Sequence, residues 1–291
     1  GAQQALDILA RLLLEPGDEV LVETPGYRAG FDVFRALGAK LVPLPVDNDG
    51  FPVAQIPPHC RARMVFVTPS NQFPHGGTMP LTRRLSLLQW ASRHDAIVVE
   101  DDYDGELRYD GRPLAALQGL DKEGRVVYLG TFSKVLFPAL RLGYVVLPAP
   151  LHTAFVRAKG LVDRGAPTLT QAAMADFMSE GHFDNHLRQL RKAYWRRWEV
   201  LTAALDRHLG QRATFCRVAA GLHVMVYLEK GVDEAAVVAE TAVAGVGIYA
   251  GAPYHLQYPA PPSILLGFSG LNESEIEEGV RRLGVVLQHQ G

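Results

Sequence analysis

Cysteine is scarce. Only Cys60 and Cys216 occur among 291 residues, too far apart for a metal or disulfide framework, so the expected compartment is a reducing cytoplasm. Long hydrophobic runs are missing too. No stretch reaches the roughly 20 apolar residues of a membrane-spanning helix, and no signal-peptide pattern opens these residues. Neither charge sign is in excess: 29 Lys and Arg stand against 31 Asp and Glu, a net charge of −2. That excludes the global basic surface that nucleic acid asks for. Internal repeats and low-complexity segments are absent, which excludes a repeat architecture.

What is present is ordinary for a globular chain, 48% apolar and 21% charged. A chain of this length buries a large core, as one large body with a smaller lobe. Gly1-Ala2-Gln3-Gln4-Ala5-Leu6 reads as a helix entry with nothing before it, so the expectation is a fragment that begins inside an element. Leu6, Leu9, Ala10 and Leu13 share a helical face, and Pro16-Gly17-Asp18 ends it. The same reading predicts strands over 19–22, 40–46, 63–67, 96–99, 125–129 and 143–147. It predicts helices around Phe31, Phe34 and Leu37 and over 81–93. The strand runs are continuously apolar, as strands buried on both faces are. Strands alternating with helices predict an α/β fold with a mostly parallel sheet flanked by helices. After Pro150 the pattern turns helical, over 151–161, 169–178 and about 182–209. The remainder reads as a smaller α+β lobe, with strands over 222–228 and 264–268 and helices over 232–244 and 276–287. The expected division is a large domain over 1–180 and a linking helix with a small domain over 181–291.

Polar groups collect at the carboxyl ends of these strands, the edge where open α/β sheets bind ligands. Thr131-Phe132-Ser133-Lys134 follows one strand, with Arg141 nearby. Of Lys40, Lys122, Lys134, Lys159, Lys192 and Lys230, only Lys134 sits between hydroxyls just past an apolar strand. A lysine desolvated there becomes a nucleophilic amine suited to Schiff-base chemistry. Taken alone, a Ser-Lys pair is more often a surface loop. Asp101-Asp102-Tyr103 ends another strand. A carboxylate there can keep a pyridine nitrogen protonated, with a phenol two residues on to bond a ring hydroxyl; alone, a solvated acidic turn or a magnesium site explains it as well. Gly1-Ala2-Gln3 opens a helix, whose N–H groups suit a phosphate, and Tyr27 in Pro25-Gly26-Tyr27 can stack on a flat ring. Each of these is weak alone. Together they form the inventory of a pyridoxal phosphate site.

At these residues the chain resembles the fold-type-I aminotransferases, and most closely the aminotransferase-like domain of MocR/GabR-type transcriptional regulators. The resemblance covers residues 1 to about 287. It is carried by Gly1-Ala2-Gln3-Gln4-Ala5-Leu6-Asp7, by Glu100-Asp101-Asp102-Tyr103-Asp104, by Gly130-Thr131-Phe132-Ser133-Lys134 with Pro138, Leu140-Arg141-Leu142-Gly143, and by Glu278-Gly279-Val280-Arg281-Arg282-Leu283. It implies pyridoxal 5'-phosphate as cofactor and Lys134 as the internal aldimine lysine. Asp101 would pair with the ring nitrogen and Tyr103 with the ring hydroxyl. Ala2, Gln3, Thr131, Ser133 and Arg141 would hold the phosphate, and Tyr27 would stack on the ring. It implies a homodimer, a small amine or amino-acid ligand, and DNA contact only through an N-terminal winged helix that these residues do not contain.

Two departures stand out. Where such enzymes carry Asn-Pro-Thr-Gly, this chain has Phe73-Pro74-His75-Gly76, with Asn71 as the expected substitute. Where they carry an arginine that grips the substrate α-carboxylate, this chain has Leu265 in Ser263-Ile264-Leu265-Leu266-Gly267-Phe268. Leucine makes no bidentate pair. The expected function is therefore a ligand-sensing domain of a transcription regulator acting through Lys134, the alternative being a working aminotransferase. Outside this set, His182 and His186 are read as helix-surface residues rather than a metal pair. Gly245-Val246-Gly247 with Gly251 is mis-spaced for a dinucleotide fingerprint. Arg188, Arg191, Lys192, Arg196 and Arg197 are read as a solvated helix face.

Overall fold

The computed structural model describes residues 1–109, 114–256 and 259–290. Five parallel strands form its main sheet: β1 (Glu19–Thr24), β2 (Lys40–Pro45), β3 (Met64–Val67), β4 (Ile97–Asp102) and β5 (Val126–Thr131), joined at one edge by antiparallel β6 (Gly143–Val146). The order is β2-β1-β3-β4-β5-β6, with Val20 opposite Met64, Val65 opposite Val98 and Asp101 opposite Leu129. Alternation along each strand feeds two cores. Val20, Val22, Met64 and Phe66 pack with Leu6 and Leu9 of α1 (Ala2–Leu13), Phe31 and Phe34 of α2 (Arg28–Ala36) and Phe155 of α5 (Ala149–Asp163). Leu21, Val65, Val67 and Val98 pack on the other face against α3 (Leu81–Arg93) and α4 (Leu117–Leu120). Each such large apolar side chain, when fully buried, contributes about 1.5–3 kcal/mol.

A second, antiparallel sheet has the order β7-β8-β10-β9. Its strands are β7 (Ala213–Phe215), β8 (His223–Leu228), β9 (Tyr249–Ala250) and β10 (Ser263–Gly267). One face packs on α7 (His182–His208), α8 (Glu234–Val243) and α9 (Glu273–His289). Helix α6 (Thr168–Ser179) lies against the start of α7, where Met174, Phe183 and Leu187 pack with Leu107, Val135 and Leu142.

The α/β class and the mostly parallel sheet agree with the sequence reading. The element ends differ from it where polar chemistry sets them. Asp233 caps α8 by accepting from the Ala235 and Ala236 amides, and Asn272 forms a capping box with Glu275 ahead of α9. Ahead of α9 apolar spacing begins only later, at Ile276, whereas for α8 the expected start at 232 falls ahead of the observed Glu234. β7 and β9 were not expected, because such short strands leave no period to read.

Candidate active site

Parallel strands bring their carboxyl ends to one edge. Tyr27 lies just beyond β1, Thr68 beyond β3, Asp101 and Tyr103 at the end of β4, and Ser133 and Lys134 beyond β5. The antiparallel β6 returns Arg141 to the same edge. These residues line a cavity of about 260 Å³ together with Gly1, Ala2 and Gln3 at the start of α1. Of the residues expected to bind the cofactor, Ala2, Gln3, Tyr27, Asp101, Tyr103, Thr131, Ser133, Lys134 and Arg141 line it and Asn71 does not.

One end of the cavity is built for an anion. The first turn of α1 has no side-chain cap; the Gln4 and Ala5 amides close on the Gly1 carbonyl, which leaves the amides ahead of them to donate. Close packing holds that turn against the sheet: a Cβ on Gly143 would lie 2.7 Å from the Gly130 carbonyl and 3.2 Å from the Ala2 amide nitrogen. Arg141 adopts the left-handed conformation at φ 51°, and its guanidinium lies near Gly1. The Thr131 hydroxyl accepts the Ser133 amide at 3.2 Å. The Tyr27 hydroxyl donates to Gln3 Oε1 at 3.0 Å, which ties the aromatic wall to α1.

The other end is acidic and aromatic. Burial pushes the Asp101 carboxyl up to about 7, Asp102 adds to the shift, and Lys134 opposes it. Asn71 stands behind Tyr103 rather than in the cavity wall. Its amide donates to the Tyr103 hydroxyl at 3.1 Å and to Asp104 Oδ2 at 2.8 Å. Burial and the neighbouring Asp104 hold the Tyr103 phenol protonated. Gly221 permits this arrangement, since a Cβ there would come within 2.4 Å of the Asn71 amide nitrogen. One expectation is corrected: Lys134 is exposed, not desolvated. The segment after β5 runs along the surface, with Phe137, Pro138, Ala139 and Arg141 also exposed.

Three features had not been expected. Thr68, at the end of β3, follows the same strand-end rule as the other site residues. Buried Glu23 accepts from the Thr68 amide at 3.1 Å, the Thr68 hydroxyl at 2.6 Å and the Gln72 amide group at 3.1 Å, and so anchors the loop after β3. His223 arrives from the second sheet, stacked on Tyr103 and edge-on to Phe73; no sequence period links two separate sheets.

Burial lifts the Glu23 carboxyl up to about 7. Its folded value lies above the unfolded one, so its contribution to stability is full below about pH 4 and is lost as pH rises to 7. The cofactor-free protein should therefore melt at lower temperature at pH 8 than at pH 5, and Glu23→Gln should flatten that fall. Calorimetric melts across this range check it; an unchanged slope in the variant contradicts it.

The remaining sequence candidates lie elsewhere. His186 Nε2 is 2.6 Å from the Val135 carbonyl and His182 is 3.2 Å from Glu180. Arg191 and Arg197 are not solvated as expected: they donate to the Glu106 and Ser269 carbonyls and pin α7 to the fold.

Residues 1–283 match the family described as aminotransferase class I and II. The chain belongs to that family. It is 41% identical over 283 residues to the "Probable rhizopine catabolism regulatory protein MocR" of Rhizobium meliloti, covering 97% of this chain and 57% of that protein. It is 32% identical to the 2-aminoadipate transaminase of Thermus thermophilus, covering 99% of this chain and 74% of that protein. The solved structure of LysN, the α-aminoadipate aminotransferase of Thermus thermophilus complexed with N-(5'-phosphopyridoxyl)-L-leucine, superposes with a TM-score of 0.94 at 31% identity, covering 100% of this chain and 76% of that one. The chain thus spans less than two thirds of the regulator it resembles. Its architecture is PLP fold type I, and the family's cofactor is pyridoxal 5'-phosphate. The cavity fits that group. It offers a free helix N-terminus and a guanidinium for an anion, a carboxylate with no hydrogen-bond partner among the described residues, a protonated phenol and an amine. Among the described residues, no helix is long and apolar enough to cross a membrane.

Proposed function

We propose that this chain is the cofactor-binding, aminotransferase-like part of a MocR-type transcription regulator, and that it senses an amine or amino-acid ligand at Lys134. When bound, pyridoxal phosphate supplies a carbonyl carbon for amines and an electron sink in its ring. Lys134 attaches the cofactor. Asp101 holds a proton at the ring nitrogen, and Tyr103, fixed by Asn71 and Asp104, bonds the ring hydroxyl. Ala2, Gln3, Thr131, Ser133 and Arg141 bind the phosphate, and Tyr27 covers the ring. The regulator works as a homodimer, and DNA is reached through a winged helix outside these residues.

The observation that carries the sensing role is Leu265. It lies on the face of β10 turned away from the small core, where the resemblance implies a carboxylate-gripping arginine. A site without that grip retains the means to hold the cofactor and loses a means to orient an amino acid for turnover. The 41% identity to a regulator supports the same reading. An active aminotransferase is the second reading, supported by Lys134, Asp101 and Tyr103 around one cavity and by 32% identity to a transaminase.

The test is to add amines and amino acids, then a 2-oxo acid, to the cofactor-loaded protein. The expected result is a lasting change in cofactor absorbance with little new amino acid formed. Turnover at about 1 s⁻¹ or faster, ordinary for an enzyme, contradicts it.

A further inference from the structure

Tyr103 lines the cavity, and two side chains outside it meet its hydroxyl. The Asn71 amide group donates to that oxygen at 3.1 Å and to Asp104 Oδ2 at 2.8 Å. Asp104 is the second hydrogen-bonding neighbour of the same hydroxyl. It is 2% exposed. Its Oδ1 is buried with no hydrogen-bond partner among the described residues. Gly221 closes the space on one side, where a Cβ would lie 2.8 Å from Asp104 Oδ2. The titratable groups that act with Asp104 are Tyr103, Asp102, Glu106 and Tyr109, and none of these is a cation.

A carboxyl so buried among acidic neighbours keeps its proton. Burial lifts Asp104 well above the ordinary carboxylate range, and Asp102 and Glu106 add to the shift. That proton decides which way Tyr103 points. A phenol oxygen carries one hydrogen and can accept two hydrogen bonds. With Asp104 neutral, its O–H and the Asn71 N–H fill both acceptor positions, and the Tyr103 hydrogen is left to point into the cavity. An ionised Asp104 only accepts. It would take the Tyr103 hydrogen and leave a lone pair facing the cavity, where a ring oxygen needs a donor.

We propose that Asp104 is a positioning residue, a neutral acid whose proton turns the Tyr103 hydroxyl toward the ring oxygen of the cofactor. As pH rises that proton leaves to solvent, the Tyr103 hydrogen turns to the carboxylate, and the hold on the cofactor weakens. The inference rests on the reading of Tyr103 as the partner of the ring hydroxyl.

Retention of pyridoxal phosphate, titrated by absorbance across pH, tests it. Asp104→Leu removes the donor and should weaken retention about tenfold at neutral pH. Asp104→Asn supplies an N–H in its place and should bring retention back to within about twofold of the wild type. As pH rises, retention by the wild type should fall relative to Asp104→Asn, which has no such proton to lose. With Tyr103→Phe in place, Asp104→Leu should cost less than about twofold. A merely structural role would cost the same in both backgrounds. That equal cost, or parallel pH profiles for the wild type and Asp104→Asn, overturns the inference alone. If Asp104→Leu does not fold, the two pH profiles decide. Failure of the wild type to load cofactor, or no loss of retention from Tyr103→Phe alone, overturns the reading beneath it.

Discussion

Arg84→Ala is expected to lower the unfolding free energy by about 3–5 kcal/mol. Arg84 is 2% exposed and lies 3.7 Å from Glu100, which is 0% exposed. Its guanidinium donates to the Met79 carbonyl at 2.9 Å, to Ala115 at 3.1 Å and to Pro69 at 2.9 Å. Pro69 and Met79 bracket the loop that carries Asn71, Gln72 and Phe73, so one side chain closes the loop that lines the site. Glu100 in turn accepts from the Leu117 and Gln118 amides at 2.9 and 3.0 Å. Removing Arg84 takes the side-chain donor from the Met79 and Ala115 carbonyls and one of two donors from Pro69, which keeps the Met79 amide, and Glu100, already lifted by burial to about 7, loses its cation and is driven further toward its protonated form. Arg84→Met should recover little of the loss, because the Met79 and Ala115 carbonyls remain without that donor. Urea unfolding followed by circular dichroism measures the change; a loss below about 1 kcal/mol contradicts this account of the pair.

Lys134→Ala is expected to abolish the visible absorbance of a lysine-linked cofactor and to weaken cofactor retention about tenfold or more. Exposure of Lys134 makes this variant a clean probe, since no packing is lost with the side chain. The fold and the phosphate-binding end should persist, and added cofactor should show the spectrum of free aldehyde. A wild-type-like band in the variant would mean that another amine attaches the cofactor.

The parallel sheet was legible because buried strands write themselves as apolar runs, and the site was legible because parallel strands deliver their terminal residues to one edge. Lys134, Asp101, Tyr103 and Tyr27 follow from that rule, and Thr68 could have been added by it. The interior polar chemistry was not legible. Nothing in the spacing of α3 marks Arg84 as buried, because its partners are carbonyls of distant loops. Glu23 reads as the polar end of a strand, and only the fold reveals that Thr68 and Gln72 surround it. Asn71 was expected to touch the cofactor directly; its partners prove to be Tyr103 and Asp104, on a strand end that no local pattern connects to it. His223 and Leu265 share a face only because β8 and β10 pair antiparallel, a register set by tertiary packing.

The central claim is that Lys134 holds the cofactor. Borohydride reduction of the cofactor-loaded protein, followed by digestion and mass analysis of the peptides, tests it directly. The expected result is one peptide, containing Lys134, that carries the added cofactor mass. Cofactor mass on a peptide containing Lys159 or another lysine, or on none, would contradict it.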